Sequence, residues 1–77
     1  MKIKHDPTAD AIYIYLSDEP YAYGRDLDND RRVDYSSDGS PIGVELLRVS
    51  KGINVDDLPD QEKIAELLED GHFKVFA

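Results

Sequence analysis

The residues best suited to acid–base chemistry lie near the start of the chain, where His5 precedes Asp6 and Asp10. An imidazole titrates near neutral pH, and a neighbouring carboxylate can orient it or accept its proton. The cluster supports one hypothesis, a small hydrolase or isomerase that uses His5 with Asp6 or Asp10. His72 forms no metal-binding spacing with His5, and an ordinary histidine at a strand end is the simpler interpretation. An enzyme is therefore the less favoured expectation, and no catalytic residue is assigned.

Three acidic residues alternate at Asp26, Asp28 and Asp30, as they do at the start of a calcium-binding loop. Carboxylates at alternate positions can converge on one hard cation. The rest of such a loop is missing, because Arg31 occupies the position of the turn glycine and Ser37 that of the bidentate glutamate. A divalent-metal-binding protein is an alternative hypothesis. The sequence favours an acidic hairpin turn, and we expect no cofactor.

Tyrosines form the third group, and their chemistry suits contact surfaces. A tyrosine buries a large ring while it keeps a polar tip, and it is enriched in protein interfaces. Packing in the core or on the sheet surface explains these residues equally well. The predicted interface with a partner or a second copy consists of Tyr13, Tyr15, Tyr21, Tyr23 and Tyr35.

The first half of the chain, which must position these residues, has the period of two that is typical of strands. Asp38-Gly39 is its strongest hairpin signal, because glycine accepts a positive φ. A slip in alternation at Leu46-Leu47 predicts a bulge, or a strand end buried on both sides. We predict a hairpin and three further strands, over residues 2–5, 11–16, 21–27, 32–35 and 42–49.

The second half changes to the period of a helix. Ile64, Leu67 and Leu68 form one apolar stripe at spacings of three and four residues. We predict that the helix has Pro59 in its first turn and ends at Gly71 in the left-handed conformation. Residues 72–76 alternate again and predict a short terminal strand.

These elements predict an α+β fold with one domain over residues 1–77. An antiparallel sheet of about five strands occupies residues 1–50. The linker, one C-terminal helix and a short terminal strand occupy residues 51–77.

The second predicted strand has apolar or aromatic side chains on both faces. Ile12 and Ile14 point to one side, and Tyr13 and Tyr15 to the other. A single helix covers only one of them, so a loop or a second copy must cover the other. Domains this small often need a disulfide, a metal or oligomerisation for stability. Because the chain has no cysteine, we expect a homodimer.

The formal net charge of −8 restricts the class of partner. It argues against nucleic acid and anionic membranes, which attract clustered lysine and arginine. A basic partner protein is compatible with it. No apolar run is long enough to span a membrane, and the polar start lacks a signal peptide's apolar core, so we expect a cytoplasmic location.

Two stretches of the sequence carry a resemblance to a family. Residues 2–14, KIKHDPTADAIYI, resemble the opening of domain-of-unknown-function family 2283, a group of small prokaryotic proteins. Residues 34–45, DYSSDGSPIGVE, resemble its second signature, and Leu58-Pro59 fits its tail. Ser36 and Ser37 stand where acidic residues are common in such proteins.

The resemblance implies no catalytic residues, because the family is uncharacterised. Some similar proteins are encoded beside small toxin-like proteins, which implies an antitoxin-like role by association. The leading hypothesis is a protein-interaction module, a homodimer that binds a basic partner.

Overall fold

A five-stranded antiparallel sheet forms the body of the computed structural model, which describes residues 1–77. Its order is β1-β2-β5-β4-β3, so β5 is central and β1 and β3 form the edges. One helix, α1 (Gln61–Asp70), follows the sheet. The α+β fold predicted from the sequence is therefore confirmed. The five strands are β1 (Lys2–Asp6), β2 (Ala11–Tyr15), β3 (Tyr23–Asp28), β4 (Arg31–Tyr35) and β5 (Pro41–Leu47).

A second, two-stranded sheet closes the chain. The terminal strand β7 (Val75–Phe76) pairs in parallel with β6 (Ile53–Asn54), which follows the short 3-10 helix Val49–Lys51. The predicted terminal strand is present, and it pairs within the second half of the chain instead of extending the main sheet.

The hydrophobic core lies between one face of the main sheet and α1. Each fully buried aliphatic side chain in it contributes roughly 1.5–3 kcal/mol relative to its exposed state. Ile64 and Leu68 of the predicted apolar stripe are completely buried, and Leu67 packs at the margin. The sheet contributes Ile12, Ile14, Val33, Val44 and Leu46, and the segment before the helix contributes Val49, Ile53, Val55 and Leu58.

The helix begins later than the sequence predicts. Its N-cap is Asp60, with φ 51°, and Gln61 is the first helical residue. A left-handed residue cannot continue a right-handed helix, so Pro59 lies in the preceding turn and not in the first helical turn. That turn also contains Asp57 at φ 64°.

At the end of the helix, the left-handed conformation is taken by a different residue from the one predicted. Gly71 has φ −83°, and His72 takes the left-handed conformation with φ 67°. The His72 N–H donates to the Glu69 carbonyl at 2.9 Å, and the Phe73 N–H donates to the Leu68 carbonyl at 3.0 Å. This pair of bonds is the Schellman motif. It turns the chain so that the Phe73 ring packs against the core.

The register of β5 is regular at Leu46-Leu47, where the sequence allowed a bulge or an end buried on both sides. Leu46 is buried on the helix side, and Leu47 is half-buried on the other. The register shifts lie elsewhere, between Asp26 and Asp28 in β3 and between Asp34 and Tyr35 in β4. No helix of this fold combines the length and apolarity needed to cross a bilayer.

Candidate interaction surface

The sheet face opposite α1, called the open face below, carries no second layer of secondary structure. Strand alternation and register place its residues. One row crosses all five strands, because Lys4 pairs with Tyr13, Tyr13 with Glu45, Glu45 with Arg32, and Arg32 with Asp26. We call these five residues the central row. The open face as a whole comprises Lys2, Lys4, Asp6, Ala11, Tyr13, Tyr15, Gly24, Asp26, Arg32, Asp34, Gly43, Glu45 and Leu47.

Hydrogen bonds hold the polar side chains of the open face in one layer. The Tyr13 hydroxyl donates to Asp34 Oδ2 at 2.7 Å, and Arg32 Nε donates to Asp34 Oδ1 at 3.2 Å. The other two guanidinium nitrogens of Arg32 donate to Asp26 Oδ1 at 3.3 Å and to the Tyr21 hydroxyl at 3.0 Å. Arg32 therefore has a partner for each nitrogen, and its plane is fixed from three sides.

Two glycines provide the space in which these side chains lie flat. A Cβ at Gly43 would stand 1.9 Å from the Tyr13 hydroxyl oxygen, and a Cβ at Gly24 would stand 2.2 Å from Arg32 Nη2. Glycine inside a strand often marks such a close approach. The backbone at Gly43 and Gly24 therefore supports the phenol and the guanidinium directly.

The same contacts determine the protonation states of Tyr13 and Arg32. Burial, the hydrogen bond to Asp34 and the charge of Asp34 together raise the pKa of Tyr13 far above its usual value, so the phenol remains a donor. Hydrogen bonds to Tyr21, Asp34 and Asp26 raise the pKa of Arg32, so its charge is permanent.

Tyr15 extends the layer toward the β1 edge. Its ring meets the Tyr13 ring edge-on, with centroids 4.8 Å apart, and the Lys2 ammonium lies 5.7 Å from the Tyr15 centroid. The residue remains 40% exposed. The open face thus offers an aromatic contact with a cation beside it.

The five tyrosines predicted as an interface do not share one surface. Tyr13 and Tyr15 lie on the open face, and Tyr21 reaches it through its bond with Arg32. Tyr23 and Tyr35 point to the opposite side and stack on each other, with centroids 5.1 Å apart.

The polar half of the open face was not predicted from the sequence. Arg32, Asp34, Gly24 and Gly43 were assigned no role beyond their strands and turns. The glycines inside predicted strands were the available signal, because an interior glycine weakens a strand unless a neighbour uses its space.

The structure does not bring His5, Asp6 and Asp10 together. The His5 ring packs edge-on against Phe73, with centroids 4.9 Å apart. Asp6 Oδ1 accepts the Ala9 N–H at 3.1 Å within the turn. Asp10, at φ 53°, accepts the Ser50 N–H at 2.9 Å and the Ser50 hydroxyl at 2.6 Å. Both carboxylates thus fasten loops, and neither bonds to the imidazole.

The acidic run at Asp26, Asp28 and Asp30 also diverges. Its three carboxylates contact three different arginines: Asp26 pairs with Arg32, Asp28 with Arg31 and Asp30 with Arg48. Hydrogen bonds from the Asp30 backbone and from Arg31 lower the pKa of Asp28. Nowhere in the chain do three carboxylate or imidazole groups converge as metal ligands would.

A second charged surface lies on α1 and its N-cap. Its acidic residues point away from the core, and Lys63 is the only basic residue among them. The exposed carboxylates belong to Asp60, Glu62, Glu66, Glu69 and Asp70.

The fold and the open face define a small α+β protein with one covered and one uncovered sheet face. The family described as "Protein of unknown function (DUF2283)" matches residues 2–50. The chain belongs to this family, as its resemblance indicated. The matched segment contains the whole five-stranded sheet and ends before α1. The chain matches no curated protein and no solved structure.

Proposed function

We propose that the chain is a protein-interaction module that forms a homodimer through the open face. The supporting observation is the flat layer of Tyr13 and Arg32 over Gly43 and Gly24. Side chains that are already fixed lose little conformational entropy on binding. Tyrosine and arginine are also the residues that most often dominate interface energies.

The dimensions of the sheet indicate a weak dimer. Five strands spaced about 4.8 Å apart, with about five residues at about 3.3 Å each, give roughly 400 Å² per copy. Treated as flat surfaces, two such faces would bury roughly 800 Å², without the extra area of protruding side chains. This is below the ~1,200–2,000 Å² of stable complexes. We therefore expect a dissociation constant in the micromolar range and an assembly that depends on concentration.

Light scattering after size exclusion, over loading concentrations from about 5 to 500 µM, tests this proposal. The mass should rise from 8.7 kDa toward twice that value. Tyr15→Ser should move the transition to higher concentration. Tyr23→Ser is the matched control, because Tyr15 is 40% and Tyr23 41% exposed but they lie on opposite faces. A constant mass of 8.7 kDa at every concentration would refute the homodimer.

The acidic surface of α1 supports a second interaction, with a basic protein. Complementary charge speeds association and selects partners, and the chain's net charge of −8 acts in the same direction. An antitoxin-like role would be one such interaction, with a small basic toxin encoded nearby. The two surfaces lie on opposite sides of the sheet, so a dimer would keep both acidic helices available.

Co-purification with a basic protein encoded beside the chain tests this second interaction. Glu62→Gln with Glu66→Gln should weaken binding, and added salt should weaken it further in the unmodified chain. Lys63→Gln is the control on the same helix and should not weaken binding. Failure to bind such a neighbour, together with failure to neutralise its toxicity on co-expression, would refute the role.

A further inference from the structure

We infer that the two copies meet with their two-fold axis parallel to the central strand β5, so that Lys4 of each copy faces Asp26 of the other. This inference rests on the proposed self-association through the open face. It follows from the order of charges along the central row and from the symmetry that a homodimer imposes.

The two ends of the central row carry opposite charges. It runs from Lys4 on β1, through Tyr13, Glu45 and Arg32, to Asp26 on β3. Since β5 is the central strand, Lys4 and Asp26 lie at equal distances on either side of it. Likewise Tyr13 and Arg32 lie one strand to each side.

A face-to-face homodimer has its two-fold axis in the plane of the interface. Packed sheets commonly keep their strands aligned within about 30°. With the axis perpendicular to the strands and lying over the central row, every residue of this row faces its own copy. Lysine then meets lysine and arginine meets arginine. The carboxylates of Glu45 and Asp26 each meet the same residue of the other copy.

With the axis parallel to β5, the row reverses over its copy. Lys4 then faces Asp26 twice in the dimer, and the Tyr13 hydroxyl, which lies over Gly43 of β5, lies near the axis. Glu45 meets its own copy at the axis, and Arg32 of the same row lies next to it. Of these two arrangements, the charges of the central row favour the axis parallel to β5.

The two edge residues are free to make this contact. The Asp26 side chain is 69% exposed and uses one oxygen for Arg32. Lys4 is exposed and forms no ion pair within its own chain. Asp34 is less available, because its side chain is 14% exposed and both oxygens accept hydrogen bonds.

Charge exchange distinguishes the two axes. Lys4→Glu and Asp26→Lys should each weaken the dimer about tenfold in dissociation constant, as expected for two exposed ion pairs replaced by like charges. The double variant should recover most of the loss, because the pairs are restored with reversed sign. Sedimentation equilibrium of the full chain measures these constants, and circular dichroism verifies that each variant is folded.

Zero-length carbodiimide coupling gives a second, independent measurement. Within one copy, Lys4 and Asp26 are four strand spacings apart, about 19 Å, too far for direct coupling. A Lys4–Asp26 cross-link found by mass spectrometry in the dimer band therefore has to join two copies.

The possible results distinguish the inferred direction of the axis from the proposed self-association. A monomer at all concentrations overturns both. A dimer without this cross-link, in which the single variants bind as tightly as the unmodified chain, overturns the axis and leaves self-association standing. Recovery in the double variant, together with the cross-link, supports the axis parallel to β5.

Discussion

Gly43→Ala would disturb the open face without touching the hydrophobic core. The new Cβ would lie 1.9 Å from the Tyr13 hydroxyl oxygen and 2.4 Å from Cζ of the same ring. Gly43 itself is buried in the central strand β5, so the backbone cannot yield easily. The Tyr13 ring must swing away from the sheet. It then loses the 2.7 Å bond to Asp34 and projects into the space that a second copy would occupy.

The magnitude follows from two opposing effects. A hydrogen bond to a charged acceptor contributes about 1.5–3 kcal/mol to stability. Replacing a strand glycine with alanine recovers about 0.5–1 kcal/mol. The expected net loss is about 0.5–2.5 kcal/mol in the free energy of unfolding. For a chain of this size, that corresponds to a fall of roughly 2–20 °C in Tm.

Thermal and urea unfolding at a concentration that keeps the chain monomeric measure this loss. The matched background is Tyr13→Ser, which removes the ring. There, Gly43→Ala should be neutral or stabilising, because the methyl group meets no aromatic atom. Equal destabilisation in both backgrounds, or an unchanged Tm in the first, would refute the close contact between Gly43 and Tyr13.

Three further predictions concern the core, the loops and pH. Ile64→Ala, at a fully buried helix position, should cost about 2–5 kcal/mol in urea unfolding, and Glu66→Ala should cost far less. Asp10→Ala should cost about 1–3 kcal/mol by removing both bonds to Ser50, and equal stability of the variant and the unmodified chain would contradict this tether. The folded pKa of Tyr13 lies above its unfolded value of 10.0, so its stabilising effect is complete below pH 10 and is lost as the pH rises toward the folded value. Tyr13→Phe should therefore lose less stability than the unmodified chain between about pH 10 and 12, and parallel pH profiles would be inconsistent with the shift.

The sheet could be predicted because its signals are local. Alternating apolar residues in β2 and the Asp38-Gly39 turn each indicate structure within a few residues. Gly39 does take a positive φ, 85°, as the turn requires. The order that makes β5 central depends on pairing between distant segments, and no local pattern carries that information.

The ends of the helix illustrate the opposite case. Pro59 and Gly71 are good local signals, yet the turn places Asp60 in the left-handed conformation and the Schellman motif places His72 there. The shift at the C-terminal end accompanies the packing of Phe73 on the core. Where local preferences allow the helix to end at more than one residue, tertiary packing determines which of them is used.

The open face was predictable only in part. Tyr13 and Tyr15 stand out in the sequence because they alternate with Ile12 and Ile14. Arg32 looks like an ordinary exposed strand residue, and only the register places it beside Gly24 and in line with Tyr13. The separation of Tyr23 and Tyr35 onto the other face likewise follows from strand pairing.

The most direct test of the open face as an interface is a dilution series followed by nuclear magnetic resonance of the full chain. Between about 1 mM and 20 µM, chosen to bracket a micromolar dissociation constant, the signals of Tyr13, Glu45 and Arg32 should shift together along one binding curve. Signals from the exposed helix residues Glu62 and Glu66 should stay constant. Signals of the open face that do not change with concentration, or changes confined to the helix, would contradict the account.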